Sequence, residues 1–176
     1  VQSSLKYNGL RYEVELPWKN DGRPMEGSYG MALKRWYLLQ KQLNKDSELI
    51  IKYNDIMEDY LRKDYIRLVQ PPEMNLRSWY IPTFITNSSK KLRIVFDCAA
   101  KVQNESLNTH LFTGPDLISP LIGVLFRFRE RPIAVTADIR EMYHQISIHP
   151  EDRKFQRFLW KRDPTSKSPE AYEANG

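Results

Sequence analysis

At 176 residues, the chain has the length of one ordinary domain or of a piece of a larger protein. Its 41% hydrophobic and 28% charged residues are typical of a globular protein, and no apolar run approaches the roughly 20 residues of a membrane span. The single cysteine, Cys98, excludes a disulfide framework and a cysteine metal cluster, so we expect an intracellular protein, cytoplasmic or nuclear, that is not secreted and has no membrane partner.

The positive charge is concentrated in the second half of the chain. The net charge is +5, and residues 90–167 contain fourteen Lys or Arg against nine Asp or Glu. A basic surface of this kind suits a polyanionic partner, which it binds through phosphate contacts. The distribution therefore favours nucleic acid or nucleotides as partners of this half.

The first elements in chain order are a strand and two helices. Alternating apolar and polar residues over 10–18 predict a strand with one buried face. Ser28 is a suitable N-cap for a helix to about residue 44, and Asp46 or Ser47 for a second helix to about Lys63. Because only a short connection separates them, the helices are expected to form an antiparallel hairpin.

The next predicted elements are a β-hairpin and a third helix. Pro71-Pro72 interrupts the chain before two strand-like runs, 79–85 and 92–96. The residues between these runs are polar and basic, which predicts a hairpin with a flexible, positively charged tip. Pro120 suits the first turn of a further helix that ends near Phe128.

The stretch from Ile133 to Ile148 combines an acid with an aromatic ring. Residues 133–137 form an apolar, partly β-branched run, which predicts a strand that ends at Asp138. Helix-favouring residues follow, so one turn would bring Tyr143 beside the carboxylate of Asp138. The pattern therefore predicts an acid and an aromatic ring at the same edge of a sheet.

Two further segments follow this stretch. A helical turn at 150–153 leads into a second apolar strand, 155–160, which we expect to pair with the strand at 133–137. The polar residues 163–176 have no periodicity and are expected to fray.

Taken alone, these patterns have ordinary structural interpretations, because a strand-end carboxylate commonly caps the following helix and a basic hairpin is commonly only solvated. Three blocks in the same order are more specific: Lys90 to Asp97, Asp138 to Arg153, and Phe155 to Trp160. Together they resemble the reverse transcriptases of the BEL/Pao class of long-terminal-repeat retrotransposons.

Two other features agree with this class. The sequence Tyr-x-Val-x-Leu-Pro-Trp, at 12–18, is similar to a segment between the protease and the polymerase of BEL/Pao polyproteins. Small residues follow Asp97, as in BEL/Pao members, where many other retroelements carry an aromatic residue and then an arginine. The resemblance covers most of the chain, from residue 10 to residue 160.

The resemblance implies an α+β fold, namely partial reverse-transcriptase fingers and palm with an N-terminal helical hairpin. It divides the chain into a linker region with a strand and the helical hairpin (1–70), fingers (71–131), the start of the palm (132–162) and a frayed tail (163–176). The first residues lack both an initiator methionine and the apolar stretch of a signal peptide, which suggests a chain cut from something longer. The remainder of the polyprotein would then be a partner.

The implied activity is RNA-directed DNA polymerisation, a nucleotidyl transfer to a DNA 3′-hydroxyl that depends on two Mg²⁺ ions. The carboxylate of Asp138 would be the catalytic ligand of both ions, and the backbone carbonyl of Ile139 would bind one of them. The other two carboxylates normally come from a Tyr-x-Asp-Asp segment, which does not occur between residues 139 and 176. We therefore expect Mg²⁺ binding to be weak or absent and the isolated chain to be inactive.

The resemblance also implies a site for a deoxynucleoside triphosphate. Lys90 or Lys91 at the hairpin tip and Arg93 on the return strand would reach the triphosphate. Tyr143 would lie under the sugar, where its ring excludes the 2′-hydroxyl of a ribonucleotide, and Gln145 would contact nucleic acid or phosphate. The macromolecular partner would be an RNA or DNA template-primer.

Two alternatives to a polymerase fragment stay open. One is a domesticated or degenerate retroelement protein that binds single-stranded nucleic acid through its basic hairpin without catalysis. The other is a relic with no molecular function, which the helical hairpin and the fingers keep folded. Affinity for nucleic acid at low salt separates the two, because only the first requires it.

Overall fold

The computed structural model describes residues 5–19, 27–74, 77–88 and 91–175, which form a mixed α+β fold. None of the helices in these ranges is long and apolar enough to cross a membrane. The α-helices are α1 (Ser28–Leu43), α2 (Ser47–Arg62), α3 (Pro71–Met74), α4 (Leu121–Arg129) and α5 (Pro150–Arg153). Short 3₁₀ helices cover Leu107–His110 and Met142–Gln145.

The described strands form two three-stranded sheets and one hairpin, with the orders β1-β2-β6, β3-β8-β7 and β4-β5. All neighbouring strands are antiparallel except β2 and β6, which are parallel. The strands are β1 (Lys6–Tyr7), β2 (Tyr12–Val14), β3 (Ile66–Leu68), β4 (Thr83–Ser88), β5 (Lys91–Phe96), β6 (Ile146–Ile148), β7 (Arg157–Trp160) and β8 (Glu170–Ala174).

The two predicted N-terminal helices are confirmed within a residue or two of their expected ends. Asp46 caps α2 as predicted, since its carboxylate accepts hydrogen bonds from the backbone N–H groups of Glu48 and Leu49. The cap of α1 differs from the prediction, because Gly27, at φ 113°, precedes the helix. The buried hydroxyl of Ser28 instead accepts a hydrogen bond from the backbone N–H of Tyr80, 2.7 Å away.

One core joins residues from both sides of Pro71, where the sequence predicted an entry to a separate region. Its buried members come from both N-terminal helices and from the β3-β8-β7 sheet. Removing each such side chain from water contributes about 1.5–3 kcal/mol. These residues are Leu39, Leu43, Tyr53, Met57, Ile66, Phe158, Trp160 and Tyr172.

The predicted β-hairpin is confirmed as β4 and β5, which pair from Thr83 opposite Phe96 to Ser88 opposite Lys91. Its first strand begins after Pro82 and extends to Ser88, so the predicted bounds of 79–85 are wrong. Leu92 and Ile94 pack against the core on one face of β5. Side chains alternate along a strand, so Lys91 and Arg93 lie on the other face. Lys90 lies outside the described residues.

The strand predicted at 133–137 is wrong. This segment has no regular secondary structure, and Ile133 and Val135 are 81% and 83% exposed. The expected partner, β7, pairs with β8, and Arg157 of β7 also bridges to Tyr80. Strand β7 thus pairs with other segments of the chain, and the apolar run at 133–137 does not join its sheet.

The expectation that residues 163–176 fray is also wrong, because β8 lies at the centre of the β3-β8-β7 sheet. The carboxylate of Glu173 is buried and accepts hydrogen bonds from Nε of Arg67 at 2.8 Å and Nε of Arg157 at 3.4 Å. Arg67 also binds the carboxylate of Glu73. The polar composition of residues 163–176 predicted a solvated tail. In the structure, the carboxylate of Glu173 and the guanidinium groups that bind it compensate one another's charge inside the fold.

The N-terminal segment is attached to the segment around α5 by a buried carboxylate. Asp152 accepts hydrogen bonds from the backbone N–H of Leu16 at 2.8 Å and from the indole N–H of Trp18 at 2.9 Å. Next to these contacts, Val14 of β2 lies opposite Ile148 of β6. Residues 12–18 are therefore built into the same body as the stretch that carries Tyr143.

Helix α4 forms close to its predicted position but contributes no residue to the buried clusters of the described chain. None of its nine residues is buried. Phe126 and Phe128 are both exposed, and so are Leu117 and Ile118 in the preceding turn.

Candidate functional site

A cavity of about 840 Å³ lies beside the β4-β5 hairpin. Its apolar walls include Ile81 and Phe96, which also belong to or pack on a buried cluster. The segment that leads into β6 contributes Ile146 and Ile148 to the lining. Cavities with mostly apolar walls and a few polar groups are typical binding sites for small ligands and cofactors.

Two of the predicted site residues line this one cavity. Arg93 reaches it from β5, and Tyr143 reaches it from the 3₁₀ helix Met142–Gln145. These residues are 50 positions apart in the sequence. Lys91 lies two residues before Arg93, exposed and on the same face of β5. The cavity lining thus includes an arginine and a tyrosine whose side chain is 82% exposed, whereas Lys91 itself does not line the cavity.

The predicted metal ligands do not share this cavity. Asp138 and Ile139 lie in the exposed, irregular segment before Met142 and are not among the lining residues. One carboxylate and one carbonyl are too few oxygen ligands for a pair of Mg²⁺ ions. Nor does any group of three or more His, Cys, Asp or Glu among the described residues suit a metal ion.

The side chain of Gln145 forms hydrogen bonds with other residues of the chain. Its side-chain amide donates to the hydroxyl of Tyr65 and to the backbone carbonyl of Arg140, each at 3.4 Å. It is not among the residues that line the cavity. Its predicted contact with nucleic acid stays a prediction.

A cluster that sequence patterns did not indicate holds the segment before Tyr143. We call it the Glu141 clamp: Glu141, Lys63, Tyr65 and Asp59. The carboxylate of Glu141 accepts hydrogen bonds from Nζ of Lys63 at 2.7 Å and from the hydroxyl of Tyr65 at 2.9 Å. Lys63 also binds the carboxylate of Asp59 at 2.7 Å. The clamp fixes the chain just before Tyr143 to the C-terminal end of α2.

The charges of the clamp shift its pKa values in a consistent way. Hydrogen bonds from Lys63 and then from Tyr65 hold the pKa of the Glu141 carboxyl below its ordinary range. Hydrogen bonds to Asp59 and Glu141 raise the pKa of the Lys63 ammonium. Glu141 also has a left-handed backbone, at φ 53° and ψ 39°. A non-glycine residue in this conformation is strained, so the contacts of the carboxylate compensate for that cost.

Aromatic and cationic side chains surround the clamp. The imidazole of His144 stacks on Tyr65, with ring centroids 4.6 Å apart and planes 8° apart. The guanidinium of Arg11 lies 4.9 Å from the centre of the same ring and donates to the backbone carbonyls of Lys63 and Asp64. His144 also lines the cavity, so the clamp connects the cavity wall to β2 and α2.

Cys98 lies on the cavity wall, and burial and then the nearby Asp97 raise the pKa of its thiol to about 11. The thiol is therefore protonated at neutral pH and is no nucleophile. The exposed Arg93 and Tyr143 offer charge-assisted hydrogen bonds and a flat aromatic surface. An anionic ligand with a ring would satisfy both.

A scan against protein-family models gives no match for the chain, and a search of curated proteins gives no significant match.

Proposed function

We propose that the chain is the N-terminal part of a reverse transcriptase of the BEL/Pao class of retrotransposons, comprising the preceding linker region, the fingers and the opening of the palm. Three sequence blocks support the proposal through their order: 90–97, 138–153 and 155–160. The geometric support is that Arg93 and Tyr143, assigned to one nucleotide site by resemblance alone, line the same cavity.

The proposed ligand of this cavity is a deoxynucleoside triphosphate. The guanidinium of Arg93 binds phosphate oxygens, for which a planar pair of N–H donors is well suited. Lys91, on the same face of β5, adds a second positive charge toward the hairpin tip. The ring of Tyr143 packs against the sugar and disfavours a 2′-hydroxyl by steric exclusion. Nucleotide binding is thus the part of the polymerase reaction that this chain performs.

The isolated chain does not catalyse nucleotidyl transfer under this proposal. In the complete enzyme, two Mg²⁺ ions would activate the 3′-hydroxyl and stabilise the leaving pyrophosphate. Asp138 supplies one carboxylate, and its neighbour Ile139 one carbonyl. In the reverse transcriptases that the chain resembles, the remaining carboxylates come from a Tyr-x-Asp-Asp segment, and no such sequence occurs between residues 139 and 176.

Nucleotide binding tests the proposal directly. The affinity of the chain for a fluorescent deoxynucleoside triphosphate is measured in Mg²⁺, for the parent and for Arg93→Gln. Loss of a charge-assisted contact to a phosphate is expected to weaken binding about tenfold or more. Arg129→Gln on α4 is the matched control, because that arginine is exposed but does not line the cavity. Equal affinities of the parent and Arg93→Gln would refute the assignment of the cavity.

A primer-extension assay tests the inactivity of the isolated chain. No template-dependent synthesis is expected, because the metal-binding carboxylates are incomplete. Synthesis that disappears in Asp138→Asn would show that the chain is an active polymerase and overturn this part of the proposal.

A second candidate function is nucleic-acid binding without catalysis, as in a domesticated or degenerate retroelement protein. The observation that favours it is the exposed, irregular position of Asp138, away from the cavity that contains Arg93. This function predicts salt-dependent binding of single-stranded nucleic acid that survives Asp138→Ala and weakens in Lys91→Ala and Arg93→Ala. No binding at low salt would exclude it.

A further inference from the structure

An exposed pair of tyrosines lies on the small β1-β2-β6 sheet. Tyr7 of β1 is opposite Tyr12 of β2, and the centroids of their rings are 5.1 Å apart. Tyr7 is 62% exposed and Tyr12 is 54% exposed. Neither ring belongs to a buried cluster of the described residues. The pair therefore contributes little to the core, although two large rings are held side by side.

The tyrosine pair and the cavity lie on the same face of this sheet. Tyr12 is opposite Ile146 of β6, so the side chains of Tyr7, Tyr12 and Ile146 form one row across three strands. Ile146 and Ile148 line the cavity, whereas Ser147 between them is buried on the opposite face. The row thus begins at the exposed edge of the sheet and ends at the cavity wall, close to Tyr143.

The sheet holds these rings in place without a ligand. Arg11, next to Tyr12, donates hydrogen bonds to the carbonyls of Lys63 and Asp64 at the end of α2. The hydroxyl of Tyr7 donates to the carbonyl of Gly9 at 3.0 Å, within the turn between the two strands. Rings that are already ordered lose little conformational entropy when a partner stacks on them.

The charge around the cavity selects among possible partners. Lys91 and Arg93 on β5 and Arg140 before the clamp are exposed. In the described ranges, no ion pair engages these three side chains. Proteins bind single strands by combining exposed aromatic rings with cations, since bases stack on the rings while cations contact the phosphates. A neutral or basic protein surface would not complement these charges.

We propose that the face of the β1-β2-β6 sheet that carries Tyr7 and Tyr12 binds a single-stranded nucleic acid by base stacking, and that it extends the nucleotide cavity along the strand. This inference rests on the proposed function, because it assigns to the same cleft the unpaired part of the template. It adds two residues, Tyr7 and Tyr12, to which the sequence analysis assigned no contact with nucleic acid.

The test compares two labelled oligonucleotides of equal length by fluorescence anisotropy at low salt: an oligothymidylate and a single strand in which every base is missing. Tyr12→Leu and Tyr7→Leu are each expected to weaken binding of the oligothymidylate about tenfold. Binding of the abasic strand is expected to be unchanged, because its phosphates remain while its bases are gone. Tyr12→Phe, which keeps a ring, is expected to retain the parent affinity.

Tyr37→Leu is the matched control. Tyr37 is 56% exposed, like Tyr12, but it lies on α1 and does not line the cavity. Thermal unfolding of each variant shows whether it is folded. Tyr7, at the edge of the sheet, provides a second variant should Tyr12→Leu disrupt β2.

Several outcomes would overturn this inference. It fails if the leucine variants bind the oligothymidylate as the parent does, or if they lose affinity for the abasic strand equally. It also fails if the parent binds neither strand at low salt. Because the nucleotide titration with Arg93→Gln is independent of Tyr7 and Tyr12, these results leave the proposed function standing.

Discussion

Glu141 is the residue on which the position of Tyr143 most depends. It joins two parts of the chain that are 78 residues apart in sequence, through its contact with Lys63. Tyr143 itself is largely exposed, so packing does not fix its ring. The hydrogen bonds of Glu141 therefore determine where the 3₁₀ helix Met142–Gln145 begins, and with it the aromatic wall of the cavity.

Replacing Glu141 by Gln is expected to destabilise the fold by about 1 kcal/mol at neutral pH, since a partly exposed ion pair with a second hydrogen bond is lost. The pKa of the carboxyl is lowered in the folded chain, so its stabilisation is present above the ordinary value of 4.5 and is lost as the pH falls through the folded value. The difference between the parent and the variant should therefore shrink in acid. Urea unfolding across this pH range measures it.

Glu48→Gln is the control for this comparison, because Glu48 forms an ion pair with Lys52 on the solvent side of α2. It is expected to change stability by only a few tenths of a kcal/mol at any pH. An equal effect of the two substitutions at neutral pH would contradict the role assigned to the clamp.

At the scale of elements, Asp152 ties the N-terminal segment to the rest of the fold. Asp152→Asn replaces one acceptor oxygen with a donor, so the N–H of Leu16 or the indole N–H of Trp18 loses its partner. A buried unsatisfied donor costs about 1–3 kcal/mol. We expect a loss of stability in that range, measured by urea unfolding, whereas Glu151→Gln on the exposed neighbour should change little. If Asp152→Asn leaves the free energy of unfolding unchanged, residues 12–18 are not anchored at this carboxylate.

The buried charges at β8 make a second prediction at this scale. Glu173→Ala leaves the guanidinium of Arg157 in the core without its carboxylate, and Arg67 loses one of two partners. Removing one partner of a buried ion pair commonly costs about 3–5 kcal/mol. The variant is therefore expected to be largely unfolded at ambient temperature by circular dichroism. If Glu173→Ala unfolds cooperatively at the same midpoint as the parent, the buried ion pairs of β8 contribute little to stability.

The elements also show where sequence reasoning succeeds. The cap at Asp46 and the apolar periodicity of α2 depend on residues within a few positions of one another, and both were predictable. The β4-β5 hairpin was predictable for the same reason. The strand predicted at 133–137 was wrong because a strand also needs a neighbouring strand, and its expected partner, β7, pairs with β8. The fraying predicted for residues 163–176 was wrong because Glu173 of β8 binds Arg67 and Arg157, which the local sequence of this segment does not indicate.

The residues of the candidate site were also only partly predictable from the sequence. Family resemblance indicated Arg93 and Tyr143, which the structure brings to one cavity. The Glu141 clamp could not be predicted, because its members lie in α2, after α2 and beyond residue 140, with no local pattern that links them. The tyrosine pair was missed for a different reason: alternation over 10–18 predicted one buried face, whereas Tyr12 points to the exposed face.

At the scale of the whole molecule, the fold brings Arg93 and Tyr143 to one apolar cavity, in a body whose core includes residues of both N-terminal helices. The N-terminal region is part of this body, since Arg11 contacts Tyr65 and Leu16 packs with Trp79 and Phe155. The proposed function therefore depends on one cleft, formed by β5 and by the segment from Tyr143 to Ile148.

Photocrosslinking with a deoxynucleoside triphosphate that carries a photoreactive base tests that cleft most directly. The account predicts that peptides containing residues 91–96 or 142–148 are labelled, as mass spectrometry would identify, and that excess unmodified nucleotide prevents the labelling. Labelling confined to other peptides, or labelling that unmodified nucleotide does not reduce, would contradict the assignment of Arg93 and Tyr143 to a nucleotide site.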